Sequence, residues 1–272
     1  MSLLYRLKVR VLKTPRGNLW WRKRSARHGA PVGAYADLAD YVRRYAPGNS
    51  FVDIGCMWGV NGEFSFIAEE AGASAVKGVD VFGPTPEFEA KRQERKSAVE
   101  FVLGDCIQPE TIARIGPADV VLCAGVLYHL PAPYDLLVAL RQICRKTLIL
   151  RTSTIPEIAG LPNAAVFFPM LTAEHRKLWN LSSLGLLHQE GISNAFNPEQ
   201  GYGNWFWGLT PSALRSMVET AGFRVEQVAT EAFAQTLICT PVDTVFHHDL
   251  PNATQAQKLA AEISASGIAR PA

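Results

Sequence analysis

The sequence predicts an α/β protein built on a doubly wound, mostly parallel sheet of seven strands, with a helical and aromatic insertion late in the chain. Three observations carry that prediction. Short apolar runs alternate with segments of helical period between residues 50 and 150. Glycines or acids follow the strands. Residues 156–208, rich in proline, asparagine and aromatic side chains, then break the rhythm. Strands and helices in alternation with short connections form parallel crossover units, which is the signature of a doubly wound sheet.

The elements follow in order. Tyr35–Tyr45 places Leu38, Tyr41, Val42 and Tyr45 on one helical face, and Pro47 and Gly48 end that helix. Ser50–Ile54 reads as a short buried strand. A glycine-bearing loop, Gly55–Gly62, leads into a helix with Phe64, Ile67, Ala68 and Ala71 on one side. Ala75–Val81, Ser97–Leu103, Ala118–Ala124 and Lys146–Leu150 are the next strands. Residues 86–97 between them read as a charged, exposed helix, and Pro133 opens one carrying Leu136, Leu140 and Ile143. One helix is expected within the insertion, near Thr172–Leu184. Thr210 is an N-cap with Pro211 at the first helical position, and Leu214, Met217, Val218 and Ala221 line the helix that follows. Phe223–Val228 and about Thr236–Phe246 complete the seven strands. The chain thus divides into a basic arm and helix (1–46), a ligand-binding core (47–155), an insertion expected to cover a substrate (156–208), the rest of the core (209–250) and a tail (251–272).

With 48% hydrophobic and 19% charged residues among 272, the chain can bury a sizeable core. No apolar run suits a membrane span, and Met1–Arg10 lacks the continuous apolar stretch of a secretory signal. Cys56, Cys106, Cys123, Cys144 and Cys239 form no Cys-x-x-Cys pair and read as core residues in a reducing compartment. The expectation is a soluble cytoplasmic protein. Its charge is uneven: nine of the 27 basic residues and none of the 25 acidic ones lie in residues 1–30, with Trp20 and Trp21 among them. Such an arm suits something anionic, whether a phosphorylated or lipid-linked acceptor, nucleic acid or a membrane surface. A solvated arm with docked tryptophans is the plainer alternative.

The loop Asp53-Ile-Gly-Cys-Met-Trp-Gly59 bears on the ligand. A dinucleotide fingerprint needs a glycine where this chain has Met57, so a pyrophosphate is poorly accommodated. Asp53 repels phosphate and attracts a cationic amine, which implies a positively charged, phosphate-free ligand such as S-adenosylmethionine. Gly55, Cys56 and Gly59 supply the close backbone approach. Asp80 and Val81 end the second strand, where an acid accepts from ribose hydroxyls, and Asp105 and Cys106 follow the third, within reach of an adenine edge. Ala124, Tyr128 and His129 follow the fourth strand, where a reacting group would be presented. A neutral histidine there suits removal of a proton from an alcohol acceptor, and the alternative is that His129 caps the next helix or bonds within its loop. His175 and His188, with Glu174 and Glu190, have no metal-ligand spacing. Phe167, Phe168, Trp179, Phe196, Trp205, Phe206 and Trp207 read as core and pocket wall. No Gly-x-Ser-x-Gly elbow, Walker loop or catalytic carboxylate pair stands in support of a hydrolase or kinase.

In order, FVDIGCMWG, GVDV, LGDC and ADVVLCAGVLYHL resemble the successive motifs of class I S-adenosylmethionine-dependent methyltransferases, across roughly residues 48–152. The resemblance implies the Rossmann-like fold of that class, S-adenosyl-L-methionine as cofactor and S-adenosyl-L-homocysteine as product. GVLYH and the later NWFWGLTPSALRSMVETAGF are similar to the tRNA wobble-uridine carboxymethyltransferase group, in which the tyrosine matching Tyr128 lies near the transferable group. The leading expectation is O-methylation of a small-molecule, sugar or lipid-linked acceptor. A tRNA-modifying (carboxy)methyltransferase and a non-catalytic cofactor-binding protein are the alternatives.

Overall fold

The computed structural model describes residues 11, 36–155, 157–158, 160–172, 174–175, 195–230 and 234–243. The basic arm with Trp20 and Trp21, most of the helix expected near Thr172–Leu184 with Trp179, His188 and Glu190, and the C-terminal tail lie outside them. The elements are α1 (Ala36–Tyr45), β1 (Ser50–Ile54), α2 (Glu63–Glu70), β2 (Ala75–Asp80), α3 (Pro86–Glu94), β3 (Glu100–Leu103), α4 (Pro109–Ile115), β4 (Ala118–Ala124), α5 (Pro133–Ile143), β5 (Cys144–Ser153), β6 (Ala165–Phe167), β7 (Trp207–Leu209), α6 (Pro211–Thr220), β8 (Phe223–Thr230) and β9 (Ala234–Pro241).

Seven strands form one sheet in the order β3-β2-β1-β4-β5-β9-β8. β1 to β5 pair in parallel, and β9 runs antiparallel to both β5 and β8. The reason is the connection. Helices join the parallel strands, whereas only residues 231–233 separate β8 from β9, which is long enough for a hairpin and far too short for a crossover. β1 lies between β2 and β4, so the chain leaves it in one direction along the sheet and returns in the other. The crevice at that reversal is where open α/β sheets bind ligands.

Alternate strand residues bury into two layers, as a sheet covered on both faces requires. Val52, Ile54, Val121, Cys123, Leu148 and Leu150 pack with Leu136, Leu140 and Ile143 of α5 and with Leu214 and Val218 of α6. Phe51, Val120, Leu122 and Ile149 pack on the other side, with Leu38 and Val42 of α1, Phe64 and Ile67 of α2, and Phe88 of α3. All five cysteines are free and buried. Among the described residues no helix is long and apolar enough to cross a membrane, and no cluster of side chains could hold a metal ion.

The structure adds α4, a helix between β3 and β4 that the sequence reading lacks, and differs from that reading elsewhere. α3 is not wholly exposed, because Phe88 is fully buried against Phe66 and Phe101 and pins the helix to the sheet. β5 runs past Leu150 through Arg151, Thr152 and Ser153, polar residues that are buried because β9 pairs with each of them; Arg151 Nη1 donates to Thr236 Oγ1 at 3.0 Å. Within the insertion, β6 and β7 form a separate two-stranded ribbon, tied to the end of β5 by Ile155 N–H donating to the Leu209 carbonyl at 2.9 Å.

Candidate active site

A cavity of about 330 Å³ opens at the carboxyl ends of β1, β2, β3 and β4. Its walls are Ile54–Gly55 and Trp58, Val79–Phe82, Gly104–Cys106, Ala124–Val126 and Tyr128–Leu130. Tyr202, Gly203 and Trp205 of the insertion close it. Of the residues singled out in the sequence, Gly55, Asp80, Val81, Asp105, Cys106, Ala124, Tyr128 and His129 meet here. Asp53, Cys56 and Gly59 do not line the cavity.

The loop after β1 explains that division. Gly55 has a φ of 76°, and a Cβ there would collide with the Val126 side chain, so only glycine fits both backbone and space. Cys56 turns its buried side chain under the loop toward Gly78, where an added Cβ would come within 2.8 Å of Sγ. Met57, in the position of the usual motif glycine, is part of the core cluster that holds α1 and α2 against the sheet, with 1% of its surface exposed. Its side chain therefore takes no space from a ligand. Its N–H donates to one carboxylate oxygen of Asp80 at 2.8 Å, and Phe82 N–H donates to the other at 2.9 Å. Asp80 thus ties the β1 loop to the end of β2. Asp53 is buried beneath the loop and accepts from Ser65 Oγ at 2.9 Å. Burial raises its pKa to about 7, opposed by the Ser65 hydrogen bond and aided by the nearby charge of Asp80. The direct attraction of a ligand amine expected of Asp53 has no line of contact in this geometry.

The opposite wall is built from two distant segments. Residues Leu127–His129 form one turn of 3₁₀ helix after β4, and Pro198–Gly203 in the insertion form two short 3₁₀ turns that kink at Gly201. His129 Nδ1 lies 2.9 Å from the carbonyl oxygen of Asn204. A carbonyl only accepts, so Nδ1 carries the hydrogen and Nε2 keeps a lone pair. Burial lowers the pKa of His129, partly offset by that hydrogen bond, which keeps the ring neutral near pH 7. The N-cap of α5 is Ala132, with no side-chain cap, so His129 is not a capping residue. The Asn204 amide donates to the carbonyls of Asn197 and Gly201 and accepts from Asn197 N–H, which closes the turn on itself and fixes its own carbonyl toward His129. Trp205 packs on Tyr128 with ring centroids 4.1 Å apart, Phe206 N–H donates to the Tyr128 carbonyl at 2.8 Å, and Trp207 Nε1 donates to that of Pro131 at 2.8 Å. Tyr202 donates its hydroxyl to Asp105.

Sequence reasoning missed Trp58, Phe82, Tyr202 and Asn204. The only signal for the last two was the glycine-spaced run GYGNWFWG, which marks a tight turn among aromatics without saying where it docks.

Comparison with known proteins agrees with this architecture. Residues 52–150 match the family model described as a methyltransferase domain. No curated protein sequence matches. Among solved structures, the N-terminal domain of EvdMO1 with SAH bound is similar at 18% identity, over 78% of this chain and 85% of that one, with a TM-score of 0.52. The 1,6-didemethyltoxoflavin-N1-methyltransferase of Burkholderia thailandensis, bound to 1,6-didemethyltoxoflavin and S-adenosylhomocysteine, is similar at 16% identity over 81% and 85%, also at 0.52. An O-methyltransferase family protein from the same organism gives 15% identity, 81% and 60% coverage, and 0.51. At these identities the likeness is one of fold.

Proposed function

We propose that this protein, a methyltransferase that takes S-adenosylmethionine as donor, carries the methyl group to an oxygen of a small organic acceptor, with His129 as the base. The observation that carries this reading is the contact of His129 Nδ1 with the Asn204 carbonyl, which leaves Nε2 unprotonated on a residue that lines the cavity.

The residues present suit the cofactor. Asp80 and Asp105 put two carboxylates on the wall, and each Asp80 oxygen retains a lone pair after accepting one backbone N–H, enough for the two ribose hydroxyls. Val81 and Cys106 flank the place for the adenine. Burial pushes the Cys106 thiol up to about 12, so it serves there as a neutral wall atom. Bound S-adenosylmethionine supplies an electrophilic methyl carbon on a sulfonium. The rest falls to the chain itself. Trp205 and Tyr128 shield the site from water, and His129 Nε2 takes the acceptor's O–H proton as the oxygen becomes a nucleophile.

The same wall favours a small acceptor over tRNA or a phosphorylated compound. Among the described residues it holds two acids and no lysine or arginine, whereas polyanions are held by cations. Labelled methyl transfer to a panel of hydroxylated compounds, wild type against His129→Ala and His129→Gln, tests the reading. Wild-type transfer with both variants severely slowed is expected. Equal rates in all three would remove His129 from the chemistry.

A further inference from the structure

Trp58 is a large aromatic ring that stays mostly exposed. It stands on the β1 loop at the cavity mouth with 65% of its surface exposed, beside Phe82 at 43%. Phe82 meets it edge-on, with centroids 5.3 Å apart at 67°. The His129 ring lies 6.5 Å away and close to parallel, at 24°. The insertion comes up to the far edge of the indole, since a Cβ added to Gly203 would sit 3.5 Å from it. The arrangement is a supported aromatic face left open to solvent, directed toward the group that takes the proton.

We propose that Trp58 is the platform on which the acceptor lies, and that the acceptor is a flat aromatic hydroxyl compound, a phenol or fused-ring analogue. The proposal rests on the O-methyl transfer reading and adds the substrate class. Two observations select that class. First, rings interact face to face or face to edge at about 4.5–7 Å between centroids, and Phe82 and His129 both stand within that range of Trp58, so the surroundings of the indole are themselves aromatic. Second, beside Trp58 His129 has one ring nitrogen engaged by the Asn204 carbonyl, which leaves a single acceptor there. A phenol needs one acceptor for its one O–H. A sugar brings several hydroxyls, and each left unpaired on desolvation weakens binding. A phosphate monoester meets no lysine or arginine among the described wall residues.

Calorimetry in the presence of S-adenosylhomocysteine tests this with three probes: 2-naphthol, methyl α-D-glucopyranoside and phenyl phosphate. Wild type is expected to bind 2-naphthol more tightly than the other two. Trp58→Ala should weaken that binding about tenfold, and Trp58→Phe should keep it within about threefold. The exposure of Trp58 means its removal hollows no core, and an unchanged melting temperature verifies that both variants fold. His129→Ala should also weaken 2-naphthol binding, because it removes the acceptor of the phenol O–H. Naphthol binding that ignores Trp58→Ala, preference for the glucoside or the phosphate, or no naphthol binding to wild type overturns the proposal. Loss of binding in Trp58→Ala alongside no methyl transfer to any hydroxyl ring supports the platform and overturns O-methyl transfer instead.

Discussion

The two walls of the cavity are built in opposite ways. On the wall formed by the ends of β1 and β2, polar side chains are tied into the fold: Asp80 holds two backbone N–H groups and Asp53 holds Ser65, while Met57 and Cys56 are sealed in the core. At the mouth, rings stand at the surface, and the key hydrogen bond joins a turn after β4 to a turn of the insertion, 75 residues apart. The difference teaches where precision comes from in each. The first wall inherits its shape from the sheet, so a ligand meets preorganised backbone. The second is assembled by a loop docking on a loop, and its chemistry depends on that docking holding.

If that division is right, damage to one wall should leave the other's function intact. The largest effect is expected at His129. His129→Ala should lower kcat by roughly 10²–10⁴, the usual worth of a positioned base, with S-adenosylhomocysteine affinity unchanged by calorimetry. The pH profile gives a second readout. With His129 as the base, neutral imidazole would be the active form, so kcat/KM should fall as pH drops through the pKa of His129, which burial places below its ordinary value of 6.5. That acid limb should vanish in the variant. A His129 variant that also loses cofactor binding would break the comparison.

Asp80→Ala should show the converse. It removes the acceptor of two backbone N–H groups as well as the carboxylate proposed to receive the ribose hydroxyls. Groups left unpaired in this way cost about 1–3 kcal/mol each, so cofactor affinity should fall by about 10²-fold or more. Calorimetry of S-adenosylhomocysteine checks it. An affinity within threefold of wild type would mean that the ligand does not use the end of β2.

Asp53 refines the comparison, because the sequence places it at the site and the structure places it beneath. Its raised pKa sets the sign of the effect. Between pH 3.8, the ordinary value, and about 7, the folded chain holds a proton on Asp53 that the unfolded chain has released. Stability therefore declines across that window as pH rises, and above it the buried carboxylate carries its full desolvation cost. Asp53→Asn should raise stability at pH 8 by roughly 2 kcal/mol, since each tenfold change in proton affinity is worth about 1.4 kcal/mol and the surroundings relax in part. It should change little at pH 4. Thermal melts at both pH values measure it. An equal gain at both would exclude a raised pKa, and a loss of cofactor binding to match Asp80→Ala would return Asp53 to the site.

What was legible in the sequence follows the same line. The order of the strands, most of the helices, and the acids at strand ends were visible because they are local: period 2 against period 3.6, and an Asp or Gly directly after an apolar run; the short helix α4 was not. The end of β5 was not visible, since Arg151–Ser153 look like a loop until β9, more than 80 residues on, pairs with them. His129 could be marked by its place after β4, yet its tautomer depends on Asn204, which no local pattern joins to it. Met57 in place of a glycine looks like an obstruction, and only the backbone shows its side chain turned into the core. Trp58 carries no mark in the motif, because the exposure of a ring cannot be seen in one dimension.

The smallest expected effect lies at the joint between the walls. Tyr202 belongs to the insertion and Asp105 to the end of β3, and the phenol donates to the carboxylate. Burial, then the hydrogen bond and charge of Asp105, push the Tyr202 pKa up to about 12, so the hydroxyl remains a donor throughout the working range. The same turn carries Asn204, so the bond helps hold the carbonyl that sets His129. Tyr202→Phe keeps the ring and removes only the hydroxyl. If the bond is a strut, the acceptor KM should rise and kcat fall by about threefold each, the loss of one partly exposed hydrogen bond, while S-adenosylhomocysteine affinity stays within twofold. Tighter binding of S-adenosylhomocysteine in the variant would mean that Tyr202 competes with the adenine for Asp105. The insertion would then be a gate that the cofactor must open, and the mouth would be coupled to the first wall rather than docked beside it.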